Sequence, residues 1–116
     1  MDIEKLRDYC LNKKAVSEEF PFDSETLVFK LAGKIFLLTG IENFSDVNVK
    51  CDPEKAIELR ELYTDVIPGY HMNKKHWNTL KMNGVLTDKF ILEQVDHSYE
   101  LILNSLPLKI KKEILA

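Results

Sequence analysis

Residues Leu27 to Thr39 constrain the fold more than any other stretch. Leu27, Phe29 and Leu31 alternate with Val28 and Lys30, Ala32-Gly33-Lys34 interrupts, and Ile35 to Thr39 resumes an apolar run. Successive strand residues point to opposite faces, so the alternation predicts strands. A short interruption containing glycine predicts that the chain turns straight back as a hairpin. Hairpin-linked strands are antiparallel, and their apolar face needs a second layer to cover it. Gly33 alone carries no phosphate-loop signal, because that motif needs several glycines and a lysine at fixed spacing.

The flanking segments supply that layer. Asp2 to Asn12 predicts a helix capped by Asp2, with Ile3, Leu6 and Cys10 at i, i+3 and i+7 and Lys13-Lys14 at its carbonyl end. Ala15 to Asp23, containing Phe20-Pro21-Phe22, predicts an edge segment, since proline is excluded from central strands. Glu18 and Glu19 are adjacent and so point apart on a strand, which argues against a catalytic carboxylate pair. Asp46 to Cys51 predicts a third strand, with Val47, Val49 and Cys51 on one face. Asp52-Pro53-Glu54 then opens a helix: the aspartate caps, the proline sits where its missing N–H costs nothing, and the glutamate suits the dipole. Ala56, Leu59 and Tyr63 share its inner face.

Trp77 to Met82 predicts a further strand, with Leu80 and Met82 on one face and Trp77, Thr79 and Lys81 on the other. Asn83-Gly84 is a turn pair. Thr87 caps a long helix to about Asn104, with Ile91, Val95 and Ile102 on its buried stripe. Ser105 and Pro107 begin a short last helix, with Ile110 and Ile114 expected inward and Lys109, Lys111 and Lys112 outward. The expectation is a single domain over 1–116. It is α+β in two layers, an antiparallel sheet of four or five strands with helices packed mainly on one face.

With 116 residues, 45% hydrophobic and 30% charged, the chain suits one globular core. Its net charge of −3 argues against coating nucleic acid through bulk charge. Cys10 and Cys51 lie in unrelated contexts without a C-x-x-C, which predicts buried reduced thiols. The amino terminus is charged from its second residue and no run nears the length of a membrane span. The expected compartment is therefore the cytoplasm, with no membrane partner.

Val66 to Asn78, VIPGYHMNKKHWN, holds two of the three histidines, the only tryptophan and two adjacent lysines. Pro68-Gly69 fits the centre of a type II turn, with glycine taking positive φ. From Val66 to Thr87 there is no acidic residue, although the chain has 19. An even spread would put about four there, so the gap predicts a local positive field. Lys74, Lys75 and Lys81 supply charge, and His71 and His76 add to it at lower pH. Trp77, with Tyr70 nearby, offers an aromatic face for a base or sugar; Asn73 and Asn78 offer amides for a phosphate or a base edge. These nine residues are the candidate nucleic-acid contacts. Burial of Tyr70 and Trp77 in the core, asparagines that cap turns, and lysines on a solvated turn are the structural alternatives.

The same stretch resembles the signature of the MmcQ/YjbR family in PGYHMNKKHWN, Pro68–Asn78. FPF at Phe20–Phe22, FKLAGKIF at Phe29–Phe36, VKCDPE at Val49–Glu54, LRELY at Leu59–Tyr63 and SYELILNSLP at Ser98–Pro107 extend the resemblance over nearly the whole chain. Lys13-Lys14-Ala15 departs from a common Pro-Gly-Ala turn, and Asp23 stands where glycine is common. The resemblance implies a fold similar to CyaY and to secretion chaperones. It also implies the DNA-binding role with which the family is commonly labelled.

Catalysis and metal binding find little support in the spacing. His71 and His76 are five apart with no cysteine or carboxylate nearby, which does not make a ligand set. His97 and Ser98 are adjacent on a predicted helix, so their side chains diverge, and no G-x-S-x-G turn is present. The expectation is a non-enzyme without cofactor or metal. Two functional classes stand: weak, largely sequence-independent binding of double-stranded DNA, or a protein- or ligand-interaction module with no nucleic-acid role.

Overall fold

A computed structural model describes residues 1–70 and 72–116. Ten elements follow in order: α1 (Ile3–Leu11), β1 (Val16–Glu19), β2 (Thr26–Leu31), β3 (Lys34–Gly40), β4 (Asp46–Lys50), α2 (Pro53–Leu62), β5 (Val66–Pro68), β6 (Trp77–Lys81), α3 (Asp88–Ser105) and α4 (Leu108–Leu115). All the strands join one antiparallel sheet in the order β1-β2-β3-β4-β6-β5. The fold is α+β. Six strands rather than four or five arise because Val66–Pro68 pairs with β6 in a segment too short to show a period.

Each predicted cap forms. The Asp2, Asp52 and Thr87 side chains accept from the backbone N–H of Lys5 (2.8 Å), Lys55 (3.2 Å) and Phe90 (3.1 Å). The β2–β3 hairpin turns through Ala32 and Gly33, with φ of 51° and 79°. Two successive positive φ values are what a two-residue turn needs to match the twist of its strands.

Phe29, Leu37, Val49 and Leu80 are among the strand residues of the core, which they share with Leu6 and Cys10 of α1, Ala56 and Leu59 of α2, and Ile91, Val95 and Ile102 of α3. A register shift at Phe29/Lys30 places both Phe36 and Leu37 in that cluster although they are neighbours. A bulge is the general way a strand sends adjacent residues to one side. Ile114 of α4 packs against the cluster, whereas Ile110 is 38% exposed, contrary to the expected inward face. Burial pushes the thiols of Cys10 and Cys51 up, to about 12 and about 11.

The opposite face of the sheet carries the row Val28, Leu38, Asn48, Thr79, which the strand pairing aligns side by side. Among the described residues no helix side chain is clustered with them, yet all four are buried. Glu18 and Glu19 separate as alternation requires: Glu18 pairs with Arg7 of α1 and Glu19 with Lys30 on the open face. The Arg7 guanidinium holds the Glu18 carboxyl below its ordinary range.

Candidate nucleic-acid interface

The segment between β5 and β6 is a built loop. Gly69 does not take a positive φ, so the type II turn expected at Pro68-Gly69 does not form. Instead β5 continues through Pro68, and the Gly69 N–H donates to the Trp77 carbonyl at 2.9 Å. Glycine is required by space: a Cβ there would sit 2.7 Å from the Trp77 Cβ and 3.0 Å from the Trp77 carbonyl oxygen. The chain then turns where the Met72 N–H donates to the Gly69 carbonyl (3.0 Å), and again where the His76 N–H donates to the Asn73 carbonyl (3.1 Å). The Asn73 side chain accepts from the Lys75 N–H at 2.9 Å, an Asx turn that sets the backbone between the two lysines.

Arg60 of α2 holds this loop from the helix side. Its Nε donates to Asn78 Oδ1 (2.7 Å), and its Nη2 donates to the carbonyls of Lys74 and of Trp77, the latter at 3.1 Å. A planar guanidinium with several fixed donors suits such convergent acceptors. Arg60 lies in the LRELY stretch that carries the family resemblance and in the last turn of α2, where a positive charge suits the helix dipole, but nothing in the sequence shows its reach to the loop.

The nine candidate residues fall into separate sets. Tyr70, Asn73, Lys74 and Lys75 are exposed together on the loop, and Tyr70 is 62% accessible. The Lys74 ammonium lies 4.9 Å from the Tyr70 ring centroid, within reach of a cation–π attraction. His76 is half-buried. His71 lies outside the described residues.

Trp77 and Asn78 need correction. Trp77 is 6% exposed and Asn78 1%, so neither offers a stacking face or an amide to a ligand. Asn78 turns toward the helices, where its oxygen is taken by Arg60. Its Nδ2 has no hydrogen-bond partner among the described residues.

Lys81 is exposed at the far end of β6, four residues from Trp77 or about 13 Å along an extended strand. It stands opposite Asp46 of β4, so the acid-free run in sequence is not acid-free in space. Lys74, Lys75 and Lys81 hold no carboxylate partner among the described residues.

The other polar groups considered serve the fold. His97 Nε2 accepts from the Asp52 N–H (3.2 Å), joining α3 to the start of α2. Burial, followed by the nearby Lys55 charge, lowers its pKa below the ordinary histidine value. Ser98 Oγ donates to the Phe36 carbonyl (2.5 Å) and accepts from the Lys50 N–H (2.9 Å). Among the described residues no three His, Cys, Asp or Glu side chains group as metal ligands, and no helix is long and apolar enough to cross a membrane.

Comparison with known proteins returns this architecture. The crystal structure of Deinococcus radiodurans protein DR2400, a DUF419 domain, superposes with a TM-score of 0.91 at 34% identity, covering 97% of this chain and 87% of that one. A crystal structure from Pseudomonas syringae gives a TM-score of 0.73 at 28% identity over 87% of this chain and 98% of the other. In sequence, the uncharacterized protein YjbR of Escherichia coli K12 is 34% identical over 113 residues, 97% of this chain and 96% of that protein. The uncharacterized protein YbdF of Escherichia coli O157:H7 is 32% identical over 96 residues, 82% of this chain and 79% of its own length. The YjbR family model matches residues 11–101, from the end of α1 through most of α3, and so takes in the sheet, the Arg60 clamp and the loop it holds. A match of that extent, shared by relatives aligned over nearly their whole length, makes the chain a member of the YjbR family.

Proposed function

We propose that the protein is a non-enzymatic binding module of the cytoplasm whose loop contacts the phosphate backbone of double-stranded DNA, weakly and with little regard to sequence. The observation that carries this reading is the Lys74–Lys75 turn. Two ammonium groups stand exposed without carboxylate partners among the described residues, on a backbone already held by Arg60 and Asn73. A preformed loop loses little conformational freedom on binding, and lysines act on phosphate as point charges. Tyr70 and Asn73 add an aromatic face and an amide beside them. A net charge of −3 keeps the affinity low and confines it to the loop.

Fluorescence anisotropy with labelled duplexes tests this. With Lys74 and Lys75 engaged, log affinity should fall against log salt with a slope of about −2, since each neutralised phosphate contributes about −0.9. Lys74→Glu with Lys75→Glu should abolish binding and leave the fold intact, because both side chains are exposed. Binding that ignores salt, or a double variant that binds like the wild type, would instead favour the protein-interaction module.

A further inference from the structure

The open face of the sheet holds a cleft of about 490 Å³, which Lys74 and Lys75 do not line although Met72 of the same loop does. That volume falls in the range of roughly 300–1,000 Å³ typical of small-molecule sites. Leu38 of β3 and Asn48 of β4 form its floor, and Phe22 and Met72 stand as walls, each on a different loop. The Phe22 side chain is otherwise unaccounted for, being 64% exposed.

Among the described residues that line the cleft Asp46 alone is charged, and Lys81, its neighbour on β6, makes no ion pair with it. A shallow depression shares Thr26, Gly40 and Asp46 with the cleft and brings Glu25 and Glu42 to its mouth. Asn48 is 2% exposed, and its Oδ1 is used by the Thr79 hydroxyl at 2.6 Å. Among the described residues its Nδ2 donates to the Leu38 carbonyl and to Asp46 Oδ1, both at 3.5 Å, the outer limit for a hydrogen bond. A buried amide donor with two poor acceptors is costly unless something else accepts from it.

We propose that this cleft binds a small organic cation. A protonated amine sits against Asp46 near the Glu25 and Glu42 end. Its apolar body lies on Leu38 between Phe22 and Met72, where partial exclusion of water strengthens the charge pairing. The π-face of an aromatic body lies against the Asn48 amide as a weak acceptor. An anion is disfavoured by Asp46 with Glu25 and Glu42 at the adjoining depression, and an apolar molecule leaves Asp46 without a counter-charge.

The site is tested by titrating isotope-labelled protein with tryptamine, its neutral counterpart tryptophol and its anionic counterpart indole-3-acetate, read by amide chemical shifts. Tryptamine should saturate, with the largest shifts at Leu38, Asn48 and Met72. Tryptophol should bind about tenfold more weakly, the ratio expected when a charge-assisted contact becomes neutral. Indole-3-acetate should not saturate. Asp46→Asn should reduce the tryptamine affinity to that of tryptophol, and Met72→Ala should weaken both probes. Should Asp46→Asn not fold, Glu25→Gln with Glu42→Gln, both exposed, should narrow the gap between the two probes. The Lys74→Glu, Lys75→Glu variant should bind tryptamine unchanged, which separates this site from the DNA reading. Equal affinity for the three probes, saturation at another face, no saturation by tryptamine, or folded carboxylate variants that keep the tryptamine preference would overturn the proposal.

Discussion

Phe29 and Leu38 lie on adjacent strands and are both nearly buried, but different things bury them. Phe29 is 0% exposed beneath the helices, with the Phe36 ring at a centroid distance of 6.4 Å. Leu38 is 7% exposed on the opposite face, where loops carrying Phe22 and Met72 flank an open cleft. The first environment is closed by three helices that share one core. The second depends on loops held by a few side-chain hydrogen bonds, those of Arg60 on one and of Asp23 on the other. Equal burial therefore does not mean equal consequence: a closed core resists collapse around a lost side chain, while a cleft wall already borders solvent.

Truncation should separate the two faces most sharply. Phe29→Ala leaves an enclosed void and should cost about 3–5 kcal/mol. Leu38→Ala borders a space already open, so the cavity contribution largely drops out and the transfer part, about 1.5–2 kcal/mol, should remain. Urea unfolding of both variants measures the difference, and equal losses would erase the distinction. Between these two in size, Arg60→Ala should cost about 2–3 kcal/mol by leaving the Asn78 oxygen and two loop carbonyls without their donor. Amide exchange should accelerate from Met72 to Trp77 more than in α3. Uniform acceleration would mean that Arg60 supports the helix face rather than the loop.

The smallest effect tests the helix side through His97. Burial lowers its folded pKa below the ordinary value of 6.5, so the unfolded chain binds the proton more readily. The stability it contributes is present in full above the ordinary value and is lost as pH falls through the folded one. Protonation also removes the Nε2 lone pair that accepts from Asp52. Wild type should lose stability from about pH 7 downward, and His97→Gln should lose less over the same interval. Identical pH profiles would remove His97 from the contact between α3 and α2.

Much of the fold was legible in the sequence because its signals are local. Asp52-Pro53 marks a helix start whatever surrounds it, and Leu27, Phe29 and Leu31 alternate without reference to their partners. The Phe29/Lys30 bulge was not legible, because a register shift is a property of two strands together. Val66–Pro68 pairs over only three residues, too few to show a period. Of the candidate site, exposure at Lys74 and Lys75 follows from charge alone. Burial of Trp77 and Asn78 does not, since it is decided by Gly69 giving space on one side and by Arg60 of α2 on the other. The cleft was invisible for the same reason: Phe22, Leu38, Asn48 and Met72 are far apart along the chain and meet only once the sheet and its two loops are in place.

The strand order leaves two unpaired borders, β1 and β5. A row of free backbone donors and acceptors is a template on which a second chain can extend the sheet, the first step toward fibrous assembly. Here β5 offers three residues, the last a proline with no N–H to give. At the other border, β1 ends in two glutamates and runs into Phe20-Pro21, where proline again interrupts donation. Pro68 and Pro21 thus stand guard at opposite margins, so the exposed face can remain open to a ligand without the sheet growing sideways into a neighbour.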